Sequence, residues 1–151
     1  MPKKKVIKAK KMLNGLFNID FHKFYFKDVL QVIIGASILA VPVGFTEETW
    51  TLGTILPLPN IIGFMVLSVF FISTFTFYHY FKHKPKLTKS HWSEFWKRVF
   101  FTYVLAFIVV TIILVLIDKA PWIKEPLLAF KRTVIVTFPA SMSAAVADTL
   151  K

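Results

Sequence analysis

The sequence contains no cysteine. Disulfides, thiolate metal ligands and thiol nucleophiles are excluded, and the chain carries no mark of its redox compartment. Acidic residues are scarce, eight Asp and Glu against 19 Lys and Arg, and charged residues of both signs make up only 18% of 151 positions. A soluble domain of this length carries charge on about a quarter of its residues. Also missing are a His-Glu-x-x-His metal motif, a nucleophile elbow and a phosphate-cradling glycine loop. The chain is therefore not read as an enzyme, and no cofactor is expected.

What is present in excess is apolar. Hydrophobic residues reach 56%, with 17 Phe among them, and mean hydropathy is +0.62. Phe is costly to expose to water but rests easily against lipid or neighbouring helices, so the composition implies an integral membrane protein. A net charge of +11 would suit nucleic acid. However, the basic residues concentrate beside the apolar runs, at 3–27 and 82–98, and no aromatic-basic nucleic-acid motif accompanies them. Anionic lipid headgroups fit that placement better, with Lys10, Lys11, Lys82 and Lys84 as candidate contacts. No nucleic-acid partner is expected.

Four apolar segments stand out, at about 26–45, 60–81, 95–117 and 127–150. Each approaches the ~20 residues that a spanning helix needs. The fourth is the weakest, with Lys131 and Arg132 near its start and Pro139 in its middle. The first follows a basic stretch too long for the leading region of a cleavable signal peptide, and reads as an uncleaved signal anchor. The expected fold is all-α, a polytopic membrane protein with four transmembrane helices spanning 26–150. Residues 1–25 precede it as a basic cytoplasmic or interfacial arm.

Lysines crowd the arm and the loop between the second and third segments, while 46–59 has no basic residue. The positive-inside rule then puts both termini in the cytoplasm and the multi-pass body in the cell membrane. Trp50 and Trp122 fall at the outer interface, and Trp92 and Trp96 at the inner one, as an aromatic belt requires. Ser90 is placed to cap the third helix.

Polar residues within apolar segments carry the functional argument. Ala36, Ala40 and Gly44 recur every fourth position, on one helical face that a further turn extends to Glu48. Small residues at this spacing let helix backbones approach closely in lipid. The fourth segment repeats the pattern with Thr133, Thr137, Ser141, Ala145 and Thr149, and Pro139 removes one backbone donor near the middle. Such a stripe either packs against neighbouring helices or lines a hydrated path. Glu47 and Glu48 either mark the membrane boundary, pairing with Lys131 or Arg132, or form a ring that concentrates cations at a pore mouth. His79 and His83 are spaced for a metal pair, with His91 nearby, but their lysine neighbours argue against a metal. Asp28 and Asp148 lie near the inner ends of segments one and four, as solvated acids or as steps in proton or cation passage.

The stretch "GASILAVPVGFTEETWTLG", the later "LPLPN" and the final "FPASMSAAVADTL" resemble a family of small prokaryotic integral membrane proteins with no assigned function. The likeness covers most of 27–150, and Thr46, Glu47, Glu48, Trp50, Leu52 and Gly53 are its most specific part. It implies a multispan fold and, since longer members look as if they have more spans, assembly as an oligomer. It implies no ligand and no catalytic residue. The expected function is an oligomeric cation channel or transport protein, with Glu47 and Glu48 at an acidic outer mouth and Thr137 and Ser141 along the path. Its partners are then inorganic cations, further copies of the chain and membrane lipids. A non-transporting scaffold or accessory subunit is the alternative.

Overall fold

The computed structural model describes the backbone of residues 26–83 and 89–149, and side chains within 26–79 and 92–149. The basic arm, Lys10, Lys11, Lys84 and the side chains of Lys82, His83 and His91 lie outside the described residues. All regular structure among the described residues is helical: α1 (Phe26–Gly44), α2 (Glu47–Ile55), α3 (Leu58–His83), α4 (Lys89–Leu116) and α5 (Pro126–Thr149).

The boundaries follow from local chemistry. Helix α1 ends at Gly44; Phe45 makes a turn, its amide still donating to the Val41 carbonyl, and extended Thr46 (φ −88°, ψ 138°) caps the start of α2. Glu47 and Glu48 occupy the first turn of α2, where carboxylates complement the helix dipole. Pro57 follows the α2 end, as expected of a residue that cannot continue a helix. Pro126 opens α5, a position at which its missing N–H is not needed. Between α4 and α5, Asp118 adopts φ 56° while the amides of Lys119 and Ala120 both turn back to the Leu114 carbonyl, closing the α4 terminus.

The four long helices run alternately up and down. Gly44 lies beside Leu114 and Val136, whereas Gly35 lies beside Ser143, Ala144 and Ala147, so α1 and α5 are antiparallel. Helix α2 and the α4–α5 connection share one end of the bundle, called here the α2 end. The opposite, basal end holds the starts of α1 and α4 and the finish of α5.

Helix α5 is the axis. It packs against each of the other four helices, and eleven of its 24 residues are buried. Val32, Ala36 and Ala40 of α1, Ala106, Val110 and Leu114 of α4, and Val136, Ala140 and Ala144 of α5 form the principal core. Ile61 of α3 packs with Val134 and Ile135, and Ile72 with Ala145, Phe95 and Val99.

Two sequence expectations change. Among the described residues three helices, Phe26–Gly44, Leu58–His79 and Trp92–Leu116, are long and apolar enough to cross a membrane, rather than four. The fourth segment is a helix of ample length, but Lys131, Arg132, Asp148 and its hydroxyl residues keep it below that threshold. Its neighbours explain the composition: a helix enclosed by others has no need of a lipid-compatible surface. Second, the connection at 46–59 holds a helix of its own, and α4 begins at Lys89, so Ser90 lies inside it rather than at its cap.

Candidate functional site

Polar groups collect at three levels of the α5 axis. At the α2 end, Trp50 and Arg132 form a knot. The Trp50 indole donates to the Gly44 carbonyl at 2.8 Å, satisfying one of the open acceptors at the α1 terminus. Lys119 Nζ lies 4.0 Å from the centre of the Trp50 ring, within cation–π range. Arg132 donates through Nε to the Trp50 carbonyl (3.2 Å) and through Nη1 to the Lys119 carbonyl (2.9 Å). Lys131 Nζ reaches the Leu56 carbonyl, at the α2 C-cap, at 2.8 Å. Cations on the carbonyl end of a short helix stabilise it through its dipole.

Gly53 completes this knot. A Cβ there would collide with Arg132 Cγ, while the Arg132 amide stays at ordinary contact distance, so the glycine makes room for the Arg132 side chain to lie across α2. Thr49 is buried and shares a 2.8 Å hydroxyl contact with Thr46, whose Oγ1 also bonds the Val43 carbonyl. The Thr-Glu-Glu-x-Trp-x-Leu-Gly stretch thus divides by role. Thr46, Trp50 and Gly53 shape the corner, whereas Glu47 and Glu48 face outward and are exposed.

The pairing of Glu47 or Glu48 with Lys131 or Arg132 does not occur, because both cations are engaged by carbonyls. Since α1 stops at Gly44, the small-residue face does not run on to Glu48 either. That face ends with Ala36, Ala40 and Gly44 buried. A Cβ on Gly44 would meet its neighbours only at ordinary contact distance, 3.7 Å or more.

In the middle of α5, Thr133, Thr137 and Ser141 are each 0% exposed. Their hydroxyls bond carbonyls of their own helix, Ala129 at 2.8 Å, Thr133 at 2.7 Å and Phe138 at 2.9 Å. Pro139 lies within this stretch and cannot donate to the Ile135 carbonyl. The stripe is occupied by packing within one chain, and the structure does not bring Thr137 and Ser141 together with the two glutamates.

At the basal end, Asp148 of α5 is 3% exposed. Arg98 of α4 grips it in a two-pronged pair, Nε to Oδ2 and Nη2 to Oδ1, both at 2.7 Å. Asp28 of α1 is equally buried and has interactions of its own. Neither aspartate is a solvated surface acid. Gln31 Oε1 and Tyr103 OH are buried without a hydrogen-bond partner one turn further in along their helices. Among the described residues no three His, Asp or Glu side chains gather as a metal would require.

Arg98 was hidden in the sequence among the loop lysines. Phe95 and Thr102, three positions before it and four after, are both buried, and that pattern signals a partly enclosed arginine. The carbonyl partners of Lys131 and Arg132 left no signal, since backbone acceptors have no side-chain spelling.

A family model described as "Putative integral membrane protein (DUF2391)" matches residues 4–150. No curated protein and no solved structure matches the chain.

Proposed function

Given that the chain belongs to the DUF2391 family of integral membrane proteins, we propose that it is an oligomeric cation channel or transport protein with an acidic outer mouth. In this reading α5 crosses the membrane with the three apolar helices, sheltered by them from lipid. The α2 end faces outward, and both termini lie on the cytoplasmic side of the cell membrane, where the lysines meet anionic headgroups. No covalent chemistry is part of the proposal.

The observation that supports it is the state of Glu47 and Glu48. Both are exposed and have no ion-pair partner among the described residues. Yet Lys131 and Arg132 bond to backbone carbonyls on the same α2 helix. Carboxylates left free in this way can attract cations at the membrane surface. The dry centre of each protomer requires any aqueous path to run between copies.

A second reading, a non-transporting scaffold or accessory subunit, draws on the α5 stripe, whose hydroxyls are satisfied internally. Purified protein in liposomes distinguishes the two. The channel reading expects potassium or sodium flux that falls at least tenfold, or changes selectivity, in the Glu47→Gln/Glu48→Gln variant. It also expects a cross-linked oligomer in the membrane. Flux unaltered by the double variant removes both residues from the pathway, and a silent monomer leaves the scaffold.

A further inference from the structure

The two ends of α5 are held by different chemistry. At the α2 end, Lys131 and Arg132 bond to carbonyls of Leu56, Trp50 and Lys119. A guanidinium stays protonated at any physiological pH, and a carbonyl has no charge to lose. This attachment is permanent. At the basal end the tie is the Arg98–Asp148 pair, in which the carboxylate is the one group that a proton can neutralise. The Asp148 side chain keeps only 4% of its surface open, but its Arg98 partner keeps 22%, so the pair lies at the edge of the packed body.

Between the two attachments lies Pro139, where the helix lacks one internal bond and bends most easily. Beyond Pro139 the arm carries Ala140, Ala144, Ala145 and Ala147, small residues that give little interlocking area. Opposite them stands Gly35, which lets α1 and α5 approach with backbone nearly in contact. The arm is thus held by close contact of small residues, with few large side chains to re-sort when the helix bends.

We propose that the segment from Pro139 to Thr149 is a hinged arm, latched to α4 by Arg98 and Asp148 and released when Asp148 loses its charge. The ionisable groups on the basal turns of the elements packed around it are Lys27 and Asp28 on α1, His79 on α3, and Glu94, Lys97 and Arg98 on α4. Of these, Arg98 makes the two bonds to Asp148. The device is independent of whether the protein conducts ions.

The absence of cysteine makes spin labelling direct. Label pairs report the arm through Val146→Cys with Phe100→Cys, level with it on α4, and the fixed part of α5 through Leu127→Cys with Leu116→Cys; all four positions are exposed. A change in kink of ~20° carried along the roughly seven residues from Pro139 to Val146, at ~1.5 Å each, moves the label by up to about 4 Å. Asp148→Asn should therefore add a population displaced by about that much in the arm pair and leave the fixed pair unchanged. The otherwise unaltered labelled protein should show the same displacement reversibly as pH is lowered, which keeps the test decisive should Asp148→Asn not fold. An arm distance that stays at its neutral-pH value under acid overturns the proposal. So does simultaneous broadening of both pairs, which would mark general loosening instead of a hinge.

Discussion

At the residue scale, glycine decides how closely α5 is approached. A Cβ on Gly35 would stand 2.9 Å from the Ser143 carbonyl oxygen and 3.0 Å from Ala144 Cα, both backbone atoms that cannot rotate aside. On Gly63, which faces open space, it would touch nothing within 4 Å. Gly35→Ala should therefore destabilise the protein by about 1–3 kcal/mol through forced separation of α1 and α5. Gly63→Ala should be neutral or stabilising by up to about 1 kcal/mol, from helix propensity alone. Thermal unfolding in detergent, with both variants side by side, checks the contrast; equal effects would mean that the tight α1–α5 contact is wrong. Gly53 belongs with Gly35, for its Cβ would displace Arg132 from the Trp50 carbonyl. The sequence motif around Gly53 was visible as a pattern, but its purpose was not. Nothing in Thr-Glu-Glu-x-Trp-x-Leu-Gly announces that an arginine 79 positions later lies across the glycine.

At the element scale, the question is what the hydroxyls of α5 are for. Thr133 and Thr137 bond to carbonyls one turn back, each of which is already part of the helix ladder. Replacing both with Val keeps the branched shape and removes only a redundant bond. The double variant should lose less than about 1 kcal/mol per site in unfolding experiments, with flux unchanged where the wild type conducts. A large loss of flux at wild-type stability would instead place these hydroxyls along a wetted route. The three apolar helices were legible because lipid demands unbroken hydrophobic runs, and those survive in composition alone. Helix α5 was legible as a helix but not as the axis, because its mixed surface reflects neighbours remote in sequence. Helix α2 was overlooked: its hydrophobic pattern is weak, and only the Thr46 start, the two acids and Pro57 gave its limits.

At the scale of the whole molecule, the proposed orientation rests on charge placement. Basic residues dominate the basal end, while at the α2 end Lys119, Lys124, Lys131 and Arg132 are matched by Glu47, Glu48, Asp118 and Glu125. The α2 end is thus balanced in charge overall, and acidity is local to the start of α2. A membrane-impermeant thiol reagent applied to intact cells should label Ile123→Cys, 99% exposed in the α4–α5 connection. Lys97→Cys, at the exposed basal end, should react only after permeabilisation. The reverse result would invert the body in the membrane and move Glu47 and Glu48 to the inner surface. Helix α4 also carries an open apolar groove of about 390 Å³, lined by Phe107, Ile108, Thr111, Ile112 and Trp122. Lipid or a neighbouring copy fills such a surface equally well, which is why subunit arrangement could not be read from the residues.

The enclosed position of α5 has a consequence for how the protein is made. Charges such as Lys131, Arg132 and Asp148 oppose transfer of an isolated segment from the translocation machinery into the bilayer, by up to ~2.5–3.5 kcal/mol each at mid-depth. The greasy helices that shelter this segment all precede it in the order of synthesis. In the proposed four-span reading, the segments that carry its carbonyl acceptors and Arg98 are synthesised first, so it would enter as the keystone of a vault whose walls have been raised.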